Sequence, residues 1–271
     1  MPELPEVETT RRGIEPLLKG QTISQVIVRQ PQLRWPIPEH LATLATGQCV
    51  QQVQRRGKYL LIRLQQGCII IHLGMSGSLR VLSQAIAPLA HDHVDIVFAD
   101  QCLRLRDPRR FGAVLWADDD GLSHDLLNSL GPEPLTSDFD VDVLFKASRG
   151  RQVAVKNFIM NAHIVVGVGN IYASEALFLA GIRPTVKAGK ISRKRYEKLV
   201  EAIKFVLQKA IDQGGTTLRD FANADGLPGY FKQKLNVYDR AGEACYECAA
   251  PIQQKVIGQR SSYYCPHCQK Y

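Results

Sequence analysis

The feature that most constrains this chain is a pair of Cys-x2-Cys knuckles near its C-terminus. Cys245 and Cys248 form one knuckle, Cys265 and Cys268 the other, and 16 residues lie between them. The short spacing lets both sulfurs of a knuckle turn back onto one ion, and four thiolates suit tetrahedral zinc. Such a site leaves zinc no open position, so its role is structural and not catalytic. The sequence therefore predicts one structural Zn²⁺ in a finger over residues 236–271.

The remaining cysteines and the N-terminus favour a reducing compartment. Residues 1–10 (MPELPEVETT) are acidic and lack the apolar core of a signal peptide, so the cytoplasm is favoured and two disulfides are not. The most apolar window, residues 164–182, contains several polar residues and three glycines, unlike a membrane span. We therefore expect no membrane partner. Three further cysteines have apolar or strand-like surroundings and are expected to be buried free thiols: Cys49, Cys68 and Cys102.

The overall charge permits a polyanionic partner without identifying one. The chain has 34 Lys and Arg against 26 Asp and Glu, a net charge of +8. That excess suits nucleic acid, an anionic membrane surface or solubility alone. With 45% hydrophobic and 22% charged residues, the composition excludes a disordered or collagen-like chain. A length of 271 residues suggests one large or two medium domains.

Hydrophobic patterning divides the chain into three parts. A helix is predicted over residues 5–18, and seven short β-rich runs follow between 22 and 116, as in a sandwich or barrel. Beyond 131 the pattern becomes helical, with candidates at 141–148, 152–160, 171–180 and 192–213. We therefore predict an α+β multidomain protein. Its domains are a β-sandwich domain with an N-terminal helix (1–131), a helical domain (132–235) and a four-cysteine finger (236–271).

The N-terminus carries a candidate nucleophile. Removal of Met1 would leave Pro2 with a secondary α-amine, whose pKa of roughly 8 lies below the value of about 10.4 for lysine. Such an amine can attack a sugar C1′ and form an iminium, and the neighbouring Glu3 can serve as acid or base. The same two residues also suit an ordinary helix start. From these residues alone, the helix start is the favoured interpretation.

Two turns present further candidate side chains. Residues 72–77 (HLGMSG) close a predicted strand and present Met75, which is either core filling or a wedge for a base stack. Residues 107–112 (DPRRFG) join two arginines to an aromatic side chain. That turn either binds DNA or is a surface turn with Phe111 packed inward.

Other polar motifs are less specific. We expect Asn170, within residues 166–175 (VGVGNIYASE), to cap a helix whose N-terminus suits a phosphate. Arg260 falls at the tip of the predicted finger ribbon and is either a surface charge or a phosphate reader. The basic run at 187–219 is read as a solvated helix face. The alternating HDHVD at 91–95 argues against a second metal site.

Together and in this order, the motifs resemble the bacterial formamidopyrimidine-DNA glycosylase family over essentially the whole chain. The matches are PELPEVET (2–9), RGKY (56–59), HLGMSG (72–77), HDHVD (91–95), DPRRFG (107–112), GVGNIYA (167–173) and the four-cysteine finger. The resemblance implies a β-sandwich, a helix–two-turns–helix domain and a zinc finger. It also implies that double-stranded DNA with damaged bases binds in the cleft between them. The implied activity is removal of oxidised purines followed by β,δ-elimination at the abasic site.

The resemblance also implies catalytic roles. Pro2 matches the nucleophile at C1′, and Glu3 the acid that assists ring opening and base loss. Lys58 matches the lysine credited with proton transfer in β-elimination and with a phosphate contact. Arg260 matches the finger arginine credited with δ-elimination. We favour a phosphate clamp for Arg260, because a guanidinium does not readily give up a proton.

DNA contacts are implied in the same way. Met75, Arg109 and Phe111 match the trio that fills the gap left by an extruded base, with Arg109 facing the orphaned cytosine. Contacts with the DNA are expected from a further set of side chains: His72, His91, Arg110, Arg151, Lys156 and Asn170. Residues 214–230 resemble the lesion-recognition loop of the family.

Two alternatives stay open at this point. One is an endonuclease VIII-like enzyme that acts on oxidised pyrimidines, although the placement of Met75 and of Arg109 with Phe111 favours the purine branch. The other is a zinc-ribbon DNA-binding protein without catalysis, from which the Pro2–Glu3 terminus would distinguish an enzyme. We expect the chain to act as a monomer.

Overall fold

The computed structural model describes residues 2–214 and 234–271. The chain divides into two compact units, 1–129 with 211–231 and 130–210 with 232–271. The expected lesion-recognition loop lies outside the described residues, apart from Gly214. Within the two described ranges, no helix is both long and apolar enough to cross a membrane.

The first unit begins with helix α1, Leu4–Leu18. Glu3 and Glu6 start the helix through a reciprocal capping box, in which each side chain accepts from the other's backbone N–H. Val7 and Ile14 are buried in the core of this unit. The predicted N-terminal helix is therefore confirmed, and its apolar stripe holds it against the sheets.

Two four-stranded antiparallel sheets follow in the same unit. The first runs in the order β1-β6-β7-β5, from strands β1 Gln25–Val28, β5 Ser78–Ser83, β6 Asp92–Val97 and β7 Gln101–Arg106. The second runs in the order β2-β3-β4-β8, from strands β2 Val50–Arg56, β3 Tyr59–Leu64, β4 Cys68–His72 and β8 Ala113–Ala117. Both sheets bury side chains in one common core, which confirms the β-sandwich. Two short helices also belong to the unit: α2 Leu41–Ala45 and α3 Asp125–Asn128.

Strand β5 was not anticipated from the sequence, and Cys49 is less buried than expected. Only Leu79 and Leu82 of β5 are buried, three residues apart and not in strict alternation, and polar Ser78 and Ser83 at its ends resemble turn residues. Pairing with β7 over its whole length fixes it as a strand. Cys68 and Cys102 are buried as predicted, whereas Cys49 is half-exposed, so that part of the prediction is wrong.

The second unit holds the remaining helices and the finger. The helices are α4 Val141–Ser148, α5 Val155–Ile159, α6 Asn170–Leu179 and α7 Arg193–Gly214, the last of which ends beyond residue 210. The finger contains a hairpin of β9 Gln253–Ile257 and β10 Arg260–Tyr264. Phe178 of α6 joins the apolar cluster of the finger, alongside Val237 and Ile252. The helices and the finger of this unit therefore share one packed interior.

A buried carboxylate fixes where the finger begins. Glu175 of α6 is 3% exposed. Its Oε1 accepts from the N–H groups of Val237 and Tyr238, at 2.9 and 3.0 Å, and its Oε2 accepts from Asn236 N–H at 2.8 Å. Hydrogen bonds to an ionised acceptor are among the stronger ones in proteins. The chain entering the finger is therefore anchored to α6 before the first knuckle.

Candidate active site and nucleic-acid interface

The candidate nucleophile lies where the first unit anchors the start of its chain. Pro2 is half-exposed and directly precedes α1. Glu3 is 1% exposed, and its N–H donates to Glu6 Oε2 at 2.8 Å. The capping box therefore holds the buried carboxyl group of Glu3 one residue from the half-exposed ring of Pro2. Local helix geometry alone therefore places the candidate nucleophile next to the candidate acid or base.

Lys58 and His72 lie at neighbouring strand ends of one sheet. Lys58 follows Gly57, whose φ of 57° makes the tight β2–β3 turn. The next residue, Tyr59, pairs with His72 across β3 and β4, and the two rings are 4.7 Å apart. Sheet pairing therefore fixes the position of Lys58 relative to His72.

His72 is a neutral hydrogen-bond donor at physiological pH. Burial, followed by the positive charges of Lys58 and Arg34, lowers the pKa of His72 to about 4. Its Nδ1 accepts from Gly74 N–H at 3.0 Å, which leaves the proton on Nε2. A neutral N–H of this kind can donate to a phosphate oxygen without adding charge.

The depressed pKa of His72 predicts a specific loss of stability in acid. In the unfolded chain, His72 has an ordinary pKa of about 6.5 and is protonated below that pH. In the folded chain, His72 is protonated only near pH 4. The contribution of His72 is therefore fully present above pH 6.5 and is lost as pH falls toward 4. Urea unfolding should show a steeper acid loss for the native chain than for His72→Gln. Parallel pH profiles, or an NMR titration of His72 near pH 6.5, would contradict this.

The two candidate wedge turns lie side by side. Gly74 has a φ of +63°, and a Cβ there would lie 2.4 Å from the carbonyl carbon of Phe111. Met75 is 37% exposed and Phe111 43% exposed. The guanidinium carbon of Arg109 lies 4.9 Å from the centre of the Phe111 ring. Phe111 therefore does not pack inward, and one exposed group combines two apolar side chains with a stacked cation.

Two further expected DNA contacts lie on the same unit. His91 and Arg110 are exposed residues with positive φ, 72° and 55°. The carboxylates near His91 are engaged elsewhere, since Asp95 accepts from Arg104 Nε at 2.8 Å and Asp92 from Arg80 at 3.3 Å. Among the described residues, the only cluster that could hold a metal is that of the four cysteines. The carboxylates of Asp92 and Asp95 are therefore already paired with arginines.

Arg34 is a neighbour of this surface that sequence reasoning missed. Its N–H donates to Gly112 O at 3.1 Å, and its guanidinium stacks on Trp35 at 4.7 Å. The Arg34 side chain is exposed, and its charge contributes to the low pKa of His72. Arg34 lies in a proline-bordered loop that matches no motif, so only the fold reveals its location.

Asn170 does not cap its helix as predicted. The N-cap of α6 is Gly169, and Asn170 is the first helical residue. The Asn170 side chain instead donates from Nδ2 to Ser261 O at 3.0 Å and accepts from Lys156 Nζ at 2.5 Å. The long-range contacts with the finger replace the local cap, so Asn170 is fixed from two directions.

Lys156 is fully buried beneath this site. Its Nζ donates to Asn170 Oδ1, to Ser261 O at 3.1 Å and to Ser262 Oγ at 2.6 Å. The ammonium thus joins the start of α6 to strand β10. A direct contact with the DNA backbone, as the sequence predicts for Lys156, would require this buried group to become exposed. Arg151, by contrast, is exposed on the same unit.

The burial of Lys156 predicts a structural effect that Arg151 lacks. Lys156→Met should lower the free energy of unfolding by about 1–3 kcal/mol, since buried acceptors lose their donor. The exposed control Arg151→Met should change it by less than about 0.5 kcal/mol. Denaturant unfolding checks both values. Equal stability of the two variants would show that the Lys156 network contributes nothing to this unit.

The four cysteines have the geometry of one zinc site. Zn–S bonds of about 2.3 Å at tetrahedral angles put sulfurs about 3.8 Å apart. The Cys245 and Cys268 sulfurs are 3.9 Å apart, those of Cys248 and Cys265 are 3.4 Å apart, and all four lie within 4.8 Å of one another. The donor set therefore fits a single structural Zn²⁺ without an open position. Arg260 begins β10 beyond the Gly258–Gln259 turn and is exposed.

Substitution of one zinc-ligating cysteine should lower zinc binding, whereas substitution of a cysteine outside the finger should not. Cys265→Ser should weaken zinc retention by at least about 100-fold, more than the loss of an outer hydrogen bond to a ligand. DNA affinity should fall with it, because the finger hairpin carries Arg260. The control Cys102→Ser removes a buried thiol from the first unit and should leave the metal content unchanged. Metal analysis and DNA titration check both variants, and unchanged DNA affinity in zinc-free Cys265→Ser would contradict a positioning role for the finger.

The fold and these sites define a class of two-unit DNA-repair proteins with a β-sandwich, a helix–two-turns–helix segment and a zinc finger. Three family models match in that order. They are the formamidopyrimidine-DNA glycosylase N-terminal domain (1–114), the H2TH domain of the same glycosylase (130–222) and the zinc finger found in FPG and IleRS (242–270). The chain belongs to the formamidopyrimidine-DNA glycosylase family.

Individual relatives agree over the full length. Proteins named formamidopyrimidine-DNA glycosylase from Thioalkalivibrio sulfidiphilus and Stutzerimonas stutzeri are 58% and 59% identical, covering 100% of both chains. A Lactococcus lactis Fpg structure with DNA that contains Fapy-dG matches at a TM-score of 0.90 and 33% identity, covering 99% of this chain and 100% of that one. The Thermus thermophilus MutM (Fpg) structure matches at 0.86 and 37% identity, covering 99% and 98%.

Proposed function

We propose that this chain removes oxidised purines, 8-oxoguanine and formamidopyrimidines, from duplex DNA and then cuts the abasic strand by β,δ-elimination. It is a bifunctional DNA glycosylase and abasic-site lyase of base-excision repair. The observation that carries the proposal is a half-exposed Pro2 fixed beside a buried Glu3 in a chain of this family. The Fapy-dG in the DNA bound by the Lactococcus lactis relative supports the substrate class.

Pro2 is the nucleophile in this mechanism. Once Met1 is removed, its secondary amine attacks C1′ and then loses its proton, while the base leaves with the electron pair of its bond to C1′ and takes up a proton. Glu3 donates a proton as the sugar ring opens, so that the ring oxygen leaves as a hydroxyl. The nitrogen then holds C1′ as an iminium, which acidifies the C2′ hydrogen. Loss of that proton expels the 3′ phosphate, and a second elimination expels the 5′ phosphate.

Lys58 is the proposed proton carrier of these eliminations. It lies at the tight turn before Tyr59, whose pairing partner His72 ends the neighbouring strand. The positive charge of Lys58 contributes to the low pKa of His72. Lys58 can therefore act on a sugar held nearby, while neutral His72 donates to the adjoining phosphate.

The duplex must first be opened, because a stacked base hides C1′ from any amine. Flipping the nucleotide costs a few kcal/mol, and side chains that fill the vacated space offset that cost. We assign this role to the exposed group of Met75, Arg109 and Phe111. Arg109 carries a guanidinium that can pair with the orphaned cytosine, whereas the other two fill apolar space.

Phosphate contacts hold the strand on both sides of the flipped nucleotide. We assign them to exposed or half-exposed side chains that can donate to phosphate oxygens: His72, His91, Arg110, Arg151, Asn170 and Arg260. Arg260 clamps a phosphate, since its guanidinium keeps its proton. Lys156 supports Asn170 from beneath. We place this activity in the cytoplasm, where bacterial DNA lies, and expect a monomer.

A borohydride trap tests the chemistry directly. Chain that begins at Pro2 should give a covalent adduct with a duplex carrying 8-oxoguanine opposite cytosine, because borohydride reduces the iminium. Chain with Met1 retained is the matched control, and it should give none since its proline nitrogen is an amide. Mass spectrometry establishes the N-terminus of each sample.

The same experiment separates the alternatives. A panel of lesion duplexes ranks oxidised purines against oxidised pyrimidines. Stronger trapping on pyrimidine lesions would favour an endonuclease VIII-like enzyme. DNA binding without any adduct, from protein confirmed to begin at Pro2, would mean a zinc-ribbon binding protein without catalysis.

A further inference from the structure

One buried carboxylate joins the two wedge turns of the first unit. Asp107 is 0% exposed. Its Oδ1 accepts from the Ser76 hydroxyl at 2.7 Å, and its Oδ2 accepts from Gly112 N–H at 2.8 Å. Arg109 N–H lies 3.3 Å from Oδ1 and 3.3 Å from Ser76 Oγ. The Asp107 carboxylate thus bonds across to the turn at residues 73–77 through Ser76. It also closes its own turn at residues 107–112 through Gly112 N–H.

The backbone of Asp107 is fixed as well. Its N–H donates to His91 O at 3.0 Å, and its carbonyl accepts from His93 Nε2 at 2.9 Å. Where the turns meet, a Cβ on Gly74 would lie 2.5 Å from Gly112 N, so no side chain fits between them. The turn that contains Met75 therefore has one position relative to the turn that contains Phe111.

We propose that Asp107 is a positioning residue that locks residues 73–77 to residues 107–112, so that Met75, Arg109 and Phe111 enter DNA as one rigid wedge. The inference rests on the proposed function, which gives these three side chains the space left by a flipped base. Turns whose backbones are already held in place lose little conformational entropy on insertion. A wedge with mobile turns would have to be ordered while the base stack is being opened.

The chemistry of the side chain is specific to this task. A carboxylate offers acceptors on both oxygens, and here one oxygen meets the Ser76 hydroxyl and the other meets the Gly112 N–H. In Asp107→Asn one of these acceptors becomes an NH₂ donor that faces either a hydroxyl or an N–H. The variant keeps the size of the side chain but loses one acceptor: an NH₂ in place of Oδ1 forces the Ser76 hydroxyl to accept instead of donate, and Arg109 N–H loses a partner.

The test compares two substrates that differ in their need for a wedge. Base excision from duplex DNA requires flipping, whereas elimination at an abasic site in a single strand has no stack to open. Both are measured as single-turnover rates for Asp107→Asn, Ser76→Ala and Ser76→Thr. The matched control is Asp95→Asn. Asp95 is a carboxylate of the same unit, 2% exposed, and it bonds Arg104 and Arg29 instead of the turns.

Asp107→Asn should lower the duplex rate by about tenfold to 100-fold, since a wedge misplaced by about 1 Å fails to hold the open state. Its single-strand rate should stay within about twofold of the native value. Ser76→Ala should show the same selectivity with a smaller loss, and Ser76→Thr should restore the duplex rate by keeping the hydroxyl. Asp95→Asn should lower the thermal midpoint without changing the ratio of the two rates.

Two results would overturn the inference. One is an equal loss on both substrates, and the other is a full duplex rate in folded Asp107→Asn. If Asp107→Asn does not fold, Ser76→Ala decides, because it removes only the bond across the turns. Phe111→Ala separates this inference from the proposed function. If Phe111→Ala keeps the full duplex rate, the wedge role itself is refuted. If Phe111→Ala loses the duplex rate selectively and Asp107→Asn does not, only the positioning role of Asp107 is refuted.

Discussion

The proposed nucleophile, the nitrogen of Pro2 once Met1 is removed, has to be held by the fold, because chain ends are otherwise mobile. Here α1 solves the problem within three residues of the terminus. Its apolar face lies in the sandwich core, and its capping box buries Glu3 directly after Pro2. In the proposed mechanism, the β-sandwich therefore supports the helix that holds the Pro2 amine in place. Lys58 and His72 are positioned relative to each other by a different route, through the pairing of β3 with β4.

Two parts of the proposed DNA surface, the turn of Arg109 and Phe111 and the side chain of Asn170, are held by buried polar groups. Asp107 fixes the turn of Arg109 and Phe111, and Lys156 fixes Asn170. Glu175 anchors the segment that leads into the finger. A buried polar group is stabilising only when its hydrogen bonds are satisfied. Asp107, Lys156 and Glu175 therefore each require hydrogen-bond partners at defined positions. Residues that contact a polyanion must stay exposed. The fold holds these two parts of the surface in place through hydrogen bonds from buried side chains beneath them.

The sequence predicted the parts of this protein whose chemistry is local. The zinc site followed from the spacing of Cys245, Cys248, Cys265 and Cys268, because each knuckle needs only its own turn to form. Helix α1 and most strands followed from periodicity, while β5 was missed because its end residues are polar and its buried positions do not alternate regularly. The order of motifs identified the family, which no composition or single motif could have done.

What the sequence could not predict was side-chain partnership between distant segments. Asn170 has the chemistry of an N-cap, yet its amide is drawn to Ser261, 91 residues away along the chain. Lys156 reads as one more surface cation, and only packing shows that its ammonium is enclosed by protein oxygens. The net charge of +8 therefore overstates the charge available to a phosphate backbone. Lys156 counts toward it but is buried in hydrogen bonds to neutral oxygens of the protein itself. Affinity for DNA depends on the cations that remain at the surface, so exposure decides which of the basic residues can contribute.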